Sequence, residues 1–154
     1  MDTNQSPINI LLADDDTDDR YFFSVALEEM VLDSTLKLIP DGVALMNELN
    51  DENKPVPDIL FLDMNMPRKS GMECLKEIRA NRRFDTLCIA IYSTFDTEEQ
   101  IDKILAAGAN IYFNKPHEME KIKEMIKQVI RIYRYYPDLG ASEEAFFLST
   151  WLFC

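Results

Sequence analysis

A chain of 154 residues, 47% hydrophobic and 29% charged, can close one hydrophobic core without disulfides and has an ordinary globular composition. The balance of 16 basic against 28 acidic residues gives a net charge of −12. That field repels nucleic-acid phosphate and anionic lipid, which argues against binding to DNA, RNA or a membrane surface.

The polar start Met1-Asp2-Thr3-Asn4-Gln5-Ser6 has no basic region ahead of an apolar one, so no signal peptide is expected. No apolar run is long enough to span a bilayer. The first predicted element is a strand, Ile8–Ala13, which runs into Asp14-Asp15-Asp16. Phe22, Val25 and Ala26 mark a first helix, Leu36–Pro40 a second strand, and Leu45 with Leu49 a second helix. After the polar loop Asp51–Pro57, Ile59–Asp63 reads as a third strand, apolar on both faces like a strand of a parallel sheet. It ends on a carboxylate, among the costliest groups to bury unpaired, and the chain then breaks at Pro67.

Met72, Leu75 and Ile78 give a third helix, with Ser70 and Glu73 at capping-box spacing. Cys88–Ser93 is the fourth strand. Ile101, Ile104 and Leu105 mark the fourth helix, with Asp96 and Glu99 as its expected box and Gly108 as its stop. Ile111–Asn114 is the fifth strand and leads into Lys115-Pro116. Met119, Ile122, Ile126, Val129 and Tyr133 form the stripe of a fifth helix that Pro137 ends. Strand and helix alternate over short connections, which specifies an α/β fold with a doubly wound parallel sheet and helices on both faces. Ligands of such sheets sit beyond the carboxyl ends of the strands, where the strand order reverses.

Four strand ends carry chemistry: Asp14 and Asp15, Asp63, Ser93 and Lys115. Crowded carboxylates repel, so they need a cation or a shared proton. All-oxygen ligands suit Mg²⁺, which is held by one or two carboxylates together with phosphate oxygens. A lysine and a hydroxyl beside that metal make a phosphoryl-binding site. An aspartate, with a reference pKa of about 3.9, is ionised at neutral pH and serves as a nucleophile without a base. Taken singly, Asp14–Asp16 could be a helix N-cap cluster, Lys115 a surface lysine and Ser93 a turn residue. Cys74, Cys88 and Cys154 show no metal or disulfide spacing and read as small apolar residues in a reducing compartment, the cytoplasm. His117 reads as a surface residue.

The segments Ile10–Asp16, Leu60–Pro67, Ser70-Gly71-Met72-Glu73, Ile91-Tyr92-Ser93 and Tyr112–Pro116 together resemble the receiver domains of two-component response regulators, CheY-like and stand-alone. The resemblance runs over roughly residues 6 to 134. It implies a flavodoxin-like strand order 2-1-3-4-5, Asp63 as phosphoacceptor, and Asp15 and Asp63 as carboxylate ligands of Mg²⁺. It further implies that Asp14 positions a water ligand and that Asn65 gives its backbone carbonyl. Ser93 and Lys115 would bind the phosphoryl group, and Tyr112 would be the aromatic switch; its alternative is an ordinary strand aromatic packed on the fourth helix. The implied partners are a sensor histidine kinase or histidine phosphotransfer protein as donor and a downstream protein as target. The implied activity is confined to the protein's own phosphorylation and dephosphorylation.

Some features depart from the family pattern. Asp16 lengthens the acidic run and His117 replaces an aromatic, while Asn65 counts against a rival reading, standing where aspartyl-phosphate phosphatases usually carry a second acid. Thr94 and Phe95 follow Ser93, and that bulk is expected to exclude water and lengthen the life of a phosphoaspartate. The domain division is a receiver over residues 1–136 and an apolar extension over 137–154, with a helix start at Ser142-Glu143-Glu144 ahead of Phe146, Phe147, Leu148, Trp151, Leu152 and Phe153. That extension is expected to pack on its own domain or on a partner, including a second copy in a homodimer. The rival functions are a degenerate receiver that only docks and a phosphatase of the aspartyl-phosphate type.

Overall fold

The computed structural model describes residues 6–94 and 97–135; the readings made for Phe95, Asp96, Cys154 and the 137–154 extension fall outside them. Five strands, β1 (Ile8–Ala13), β2 (Ser34–Ile39), β3 (Ile59–Leu62), β4 (Cys88–Ser93) and β5 (Ile111–Asn114), form one sheet in the order β2-β1-β3-β4-β5. All neighbours are parallel. The helices are α1 (Thr17–Glu29), α2 (Gly42–Asn50), α3 (Gly71–Arg79), α4 (Glu98–Ala106) and α5 (Met119–Tyr135). No helix among the described residues is long and apolar enough to cross a membrane.

Alternation along the strands splits the core between the two faces of the sheet. Leu11, Leu60, Leu62, Ile89 and Ile91 pack with Leu45, Leu49, Leu75, Ile78 and Ile104 of α2, α3 and α4. Ile10, Leu12, Phe61, Ala90 and Tyr92 pack with Phe23 and Leu27 of α1 and with Met125, Ile126 and Val129 of α5. Burial at this scale, about 25 cal/mol per Å² of apolar surface, is what holds helices of 9 to 17 residues that would be marginal alone. Cys74 and Cys88 are buried here as apolar residues, and burial pushes their thiols up to about 11 and 12.

The structure corrects several details of the sequence reading, among them two strand ends, since β2 stops at Ile39 rather than Pro40 and β3 at Leu62 rather than Asp63. β2 starts at Ser34 rather than Leu36, because the ladder with Ile8 and Asn9, not apolarity, sets its start; Thr35 Oγ1 bonds Asn9 Oδ1 at 2.7 Å. The buried stripe of α1 is Phe23, Ala26 and Leu27, one residue on from the expected one, and Phe22 is exposed. Asp16 ends the extended chain and caps α1 through N–H groups of Asp18 and Asp19, and this start sets the phase of the helix. The N-cap of α4 is Thr97, whose hydroxyl accepts from the Gln100 N–H at 3.3 Å, in place of the expected Asp96. Ser70 caps α3 as expected, accepting from Glu73 N–H at 3.2 Å.

At the amino end of the sheet, Arg79 donates to the carbonyls of Gly108, Phe84 and Leu87 and to Asn110 Oδ1, all within 2.9 Å. That ties α3 to the entries of β4 and β5. The acidic residues gather at the opposite, carboxyl end of the sheet.

Candidate functional site

β1 lies between β2 and β3, so the strand order reverses at the gap between the ends of β1 and β3. Ala13 pairs with Leu62 in that register, and the Asp63 N–H donates to the Ala13 carbonyl at 3.0 Å. Asp14 and Asp63, one residue past their strands, are therefore neighbours. The acidic run divides by burial: Asp14 is wholly buried, Asp15 is exposed, and Asp16 is spent as the cap of α1. Carboxylate oxygens of Asp14, Asp15 and Asp63 all lie within 4.8 Å of one another. Sequence reasoning placed these three together, and the structure brings them together.

Lys115 follows β5 and is held beside β4, its N–H donating to the Ser93 carbonyl at 2.9 Å. Its ammonium stands 2.7 Å from Asp19, 2.8 Å from Asp14 and 3.4 Å from Asp63. Burial works against the charge on Lys115, but the hydrogen bonds to Asp14 and Asp19 outweigh it and hold the ammonium above its ordinary range. Asp63 receives the smaller share of that charge. Burial dominates there and pushes its carboxyl up to about 6, although the Asn65 N–H and Lys115 pull it down. It remains mostly ionised at pH 7, closer to its titration than the sequence suggested.

Two contributors were not foreseen. Asp19 was hidden as an ordinary acid in the first turn of a helix, a position the helix dipole favours. Tyr92 was hidden in the apolar run of β4. Its hydroxyl donates to Asp14 Oδ2 at 2.6 Å, and its ring lies 4.9 Å from the Lys115 ammonium. Burial, and then the Asp14 charge, hold the phenol above its ordinary range, so it stays a donor. Asp14 Oδ1 accepts from the Asp16 N–H at 3.0 Å, so both oxygens of Asp14 are engaged by protein donors.

Ser93 is fully buried at the end of β4, and its Oγ has no hydrogen-bond partner among the described residues. A buried hydroxyl left this way costs free energy and invites an acceptor. Asn65 is exposed and its N–H donates to Asp63 Oδ1 at 3.1 Å. Tyr112 is buried in the cluster beneath α4, and its hydroxyl lies 3.4 Å from Asn114 Oδ1. His117 is exposed, as expected. Gly71 opens α3 where a Cβ would fall 2.4 Å from the Asp63 carbonyl oxygen, so only glycine lets the helix start close against the site.

The arrangement suits a hard divalent cation. Asp14, Asp19 and Asp63 share the Lys115 ammonium, Asp15 adds a fourth carboxylate, and the Arg20 guanidinium on the Asp14 carbonyl is a second cation; a doubly charged ion would offset the remaining excess, and every donor in the three-carboxylate cluster is oxygen. Asp14 and Asp63 each accept protein donors on both oxygens, Asp63 from the Asn65 N–H at 3.1 Å and from Lys115 at 3.4 Å, and the exposed Asp15 carboxylate completes the cluster.

Comparison with known proteins agrees with this chemistry. Residues 10–127 match the family described as response regulator receiver domain. The response regulator Rcp1 of Synechocystis sp. is 27% identical over 132 residues, covering 83% of this chain and 90% of Rcp1. A chemotaxis protein CheY homolog of Campylobacter jejuni is 28% identical over 123 residues, covering 80% of this chain and 92% of its own length. The solved Mn(2+)-bound form of response regulator Rcp1 superposes with a TM-score of 0.72 at 27% identity, covering 86% of this chain and 96% of that one.

Proposed function

The chain belongs to the response regulator receiver domain family, and on that premise we propose that it accepts a phosphoryl group on Asp63 with Mg²⁺ bound and changes its protein-binding surface in response. The carrying observation is the convergence of Asp14, Asp15 and Asp63 within 4.8 Å, with the Lys115 ammonium 3.4 Å from Asp63.

An Asp63 carboxylate oxygen attacks the phosphorus of a phosphohistidine on a sensor kinase or phosphotransfer protein. The P–N bond breaks and the imidazole leaves with its electron pair and takes up a proton, giving an aspartyl phosphate. Asp15, Asp63 and the Asn65 carbonyl, with Asp14 through water, would hold Mg²⁺, which would supply positive charge against the phosphoryl oxygens. Lys115 adds a second positive charge, and the partnerless Ser93 hydroxyl donates a hydrogen bond to the new group. Drawing Ser93 toward Asp63 biases β4, β5 and α4, including the buried Tyr112, between two arrangements that a downstream protein reads. The only turnover expected is of the protein's own phosphoryl group, in the cytoplasm. The receiver would occupy residues 1–136, with the apolar 137–154 extension as a further contact segment.

The test is intact mass after incubation with Mg²⁺ and acetyl phosphate, beside Asp63→Asn. One phosphoryl adduct that needs Mg²⁺ and is absent from the variant supports the reading. No adduct, under conditions that label a known receiver, overturns it in favour of a docking module.

A further inference from the structure

We propose that Asp19 is a positioning residue that draws Lys115 toward α1 and away from Asp63, and so opposes capture of a phosphoryl group; this rests on the phosphoacceptor reading above. Three carboxylates compete for one ammonium, and the distances rank them: Asp19 at 2.7 Å, Asp14 at 2.8 Å and Asp63 at 3.4 Å. Asp14 is fixed in place. It is fully buried, directly follows β1, and is pinned by the Tyr92 hydroxyl and the Asp16 N–H. The Tyr92 ring, 4.9 Å from the ammonium, adds attraction.

Asp19 is different. Its N–H is held by the Asp16 cap, so its backbone is fixed, but its side chain is 27% exposed and could point to water. A first-turn acid gains its helix-dipole benefit facing solvent. Here it turns inward to an ammonium only 7% exposed, and a contact that close to the interior is screened much less than a surface pair. A phosphoryl group arriving on Asp63 must compete with it for Lys115.

Neutralising Asp19 without changing its shape therefore has two effects of opposite sign. With less pull from α1, the ammonium moves toward Asp63. The unphosphorylated site then repels a cation more strongly, while a phosphoryl group on Asp63 is gripped more tightly. A residue that only supported the fold would weaken both when changed.

The experiment uses the full chain as wild type, Asp19→Asn, Asp19→Ala and the conservative Asp19→Glu. Mg²⁺ alone is titrated by calorimetry, and beryllofluoride, a phosphoryl analogue, is then titrated at saturating Mg²⁺. In Asp19→Asn and Asp19→Ala the Mg²⁺ Kd is expected to rise about threefold or more and the beryllofluoride Kd to fall about threefold or more. Asp19→Glu, which keeps the charge, is expected to stay within about twofold of wild type on both. Unchanged constants, or both weakened together in folded protein, overturn the proposal and leave the phosphoacceptor reading standing. If one variant fails to fold, the other carries the test. Wild type that neither binds beryllofluoride nor takes a phosphoryl group from acetyl phosphate overturns the phosphoacceptor reading, and the role of Asp19 with it.

Discussion

The Tyr92 hydroxyl donates to Asp14 Oδ2 over 2.6 Å, joining the last turn of the β4 ladder to the first acid after β1 inside the core. A carboxylate with no solvent contact depends on its donors, and this one has the phenol, the Lys115 ammonium and the Asp16 N–H. Removing a hydrogen bond to a buried charge costs about 2 kcal/mol. Tyr92→Phe keeps the ring that packs edge-on against Phe23 and faces Lys115. Its urea-unfolding free energy is expected to drop by about that amount. An unchanged value would mean that Lys115 alone satisfies Asp14 Oδ2.

Ser93 should behave in the opposite way. Its Oγ is buried without a partner among the described residues, so Ser93→Ala removes a group that contributes nothing in the unphosphorylated state. Stability without ligand is expected to stay within about 0.5 kcal/mol of wild type or to rise. Beryllofluoride affinity at saturating Mg²⁺ is expected to fall about tenfold, the worth of one hydrogen bond to a charged group. A clear loss of ligand-free stability would show that the hydroxyl is paired in solution.

The raised Asp63 carboxyl makes stability depend on pH in a defined direction. Its folded value of about 6 exceeds the ordinary 3.8, so the folded state holds its proton longer than the unfolded state does. Metal-free stability from this group is thus fully present below the ordinary value and is lost as pH rises through about 6. Asp63→Asn, measured without metal, is expected to raise stability on the order of 1–2 kcal/mol at about pH 7.5 and to do little at about pH 4. Mg²⁺ should shrink the gain at the higher pH, because the wild-type carboxylates then have a counter-ion. A gain of the same size at both values would mean that Asp63 is not the titrating group.

The frame of the site was legible in the sequence because strands buried on both faces leave an unbroken apolar run, and an acid ending such a run stands out. That is why β1, β4 and β5 have the predicted bounds and why Asp14, Asp63, Ser93 and Lys115 were found. The edge strand β2 was harder to read, since half of it faces water and its start depends on backbone pairing with Ile8 and Asn9. Asp19 and Tyr92 were not legible at all. Each has an ordinary local reason to be where it is, a helix start or a strand aromatic. Only the packing of α1 and β4 around the ends of β1 and β5 shows that both reach Lys115. The division of Asp14, Asp15 and Asp16 into brace, proposed ligand and cap likewise depends on where the chain turns into α1.

Two neighbouring residues at the start of α3 separate stability from site geometry. Ser70→Ala removes the cap on the Glu73 N–H and is expected to cost about 1 kcal/mol, leaving the β3–α3 loop in place. Gly71→Ala would by helix propensity alone gain up to about 1 kcal/mol. Its new Cβ, however, would sit 2.4 Å from the Asp63 carbonyl oxygen and 2.6 Å from Met64 Cα, both backbone atoms that cannot step aside. Either α3 retreats or the loop carrying Asp63 and Asn65 shifts, and a net loss of about 1–3 kcal/mol is expected. The loop shift also moves the proposed metal ligands Asp63 and Asn65, so Mg²⁺ affinity should fall about tenfold in Gly71→Ala and stay within about twofold in Ser70→Ala. Calorimetric Mg²⁺ titration beside urea unfolding reads both quantities. Equal Mg²⁺ affinity in the two variants would show that α3 alone yields to the added methyl and that the Asp63 loop is not set by Gly71.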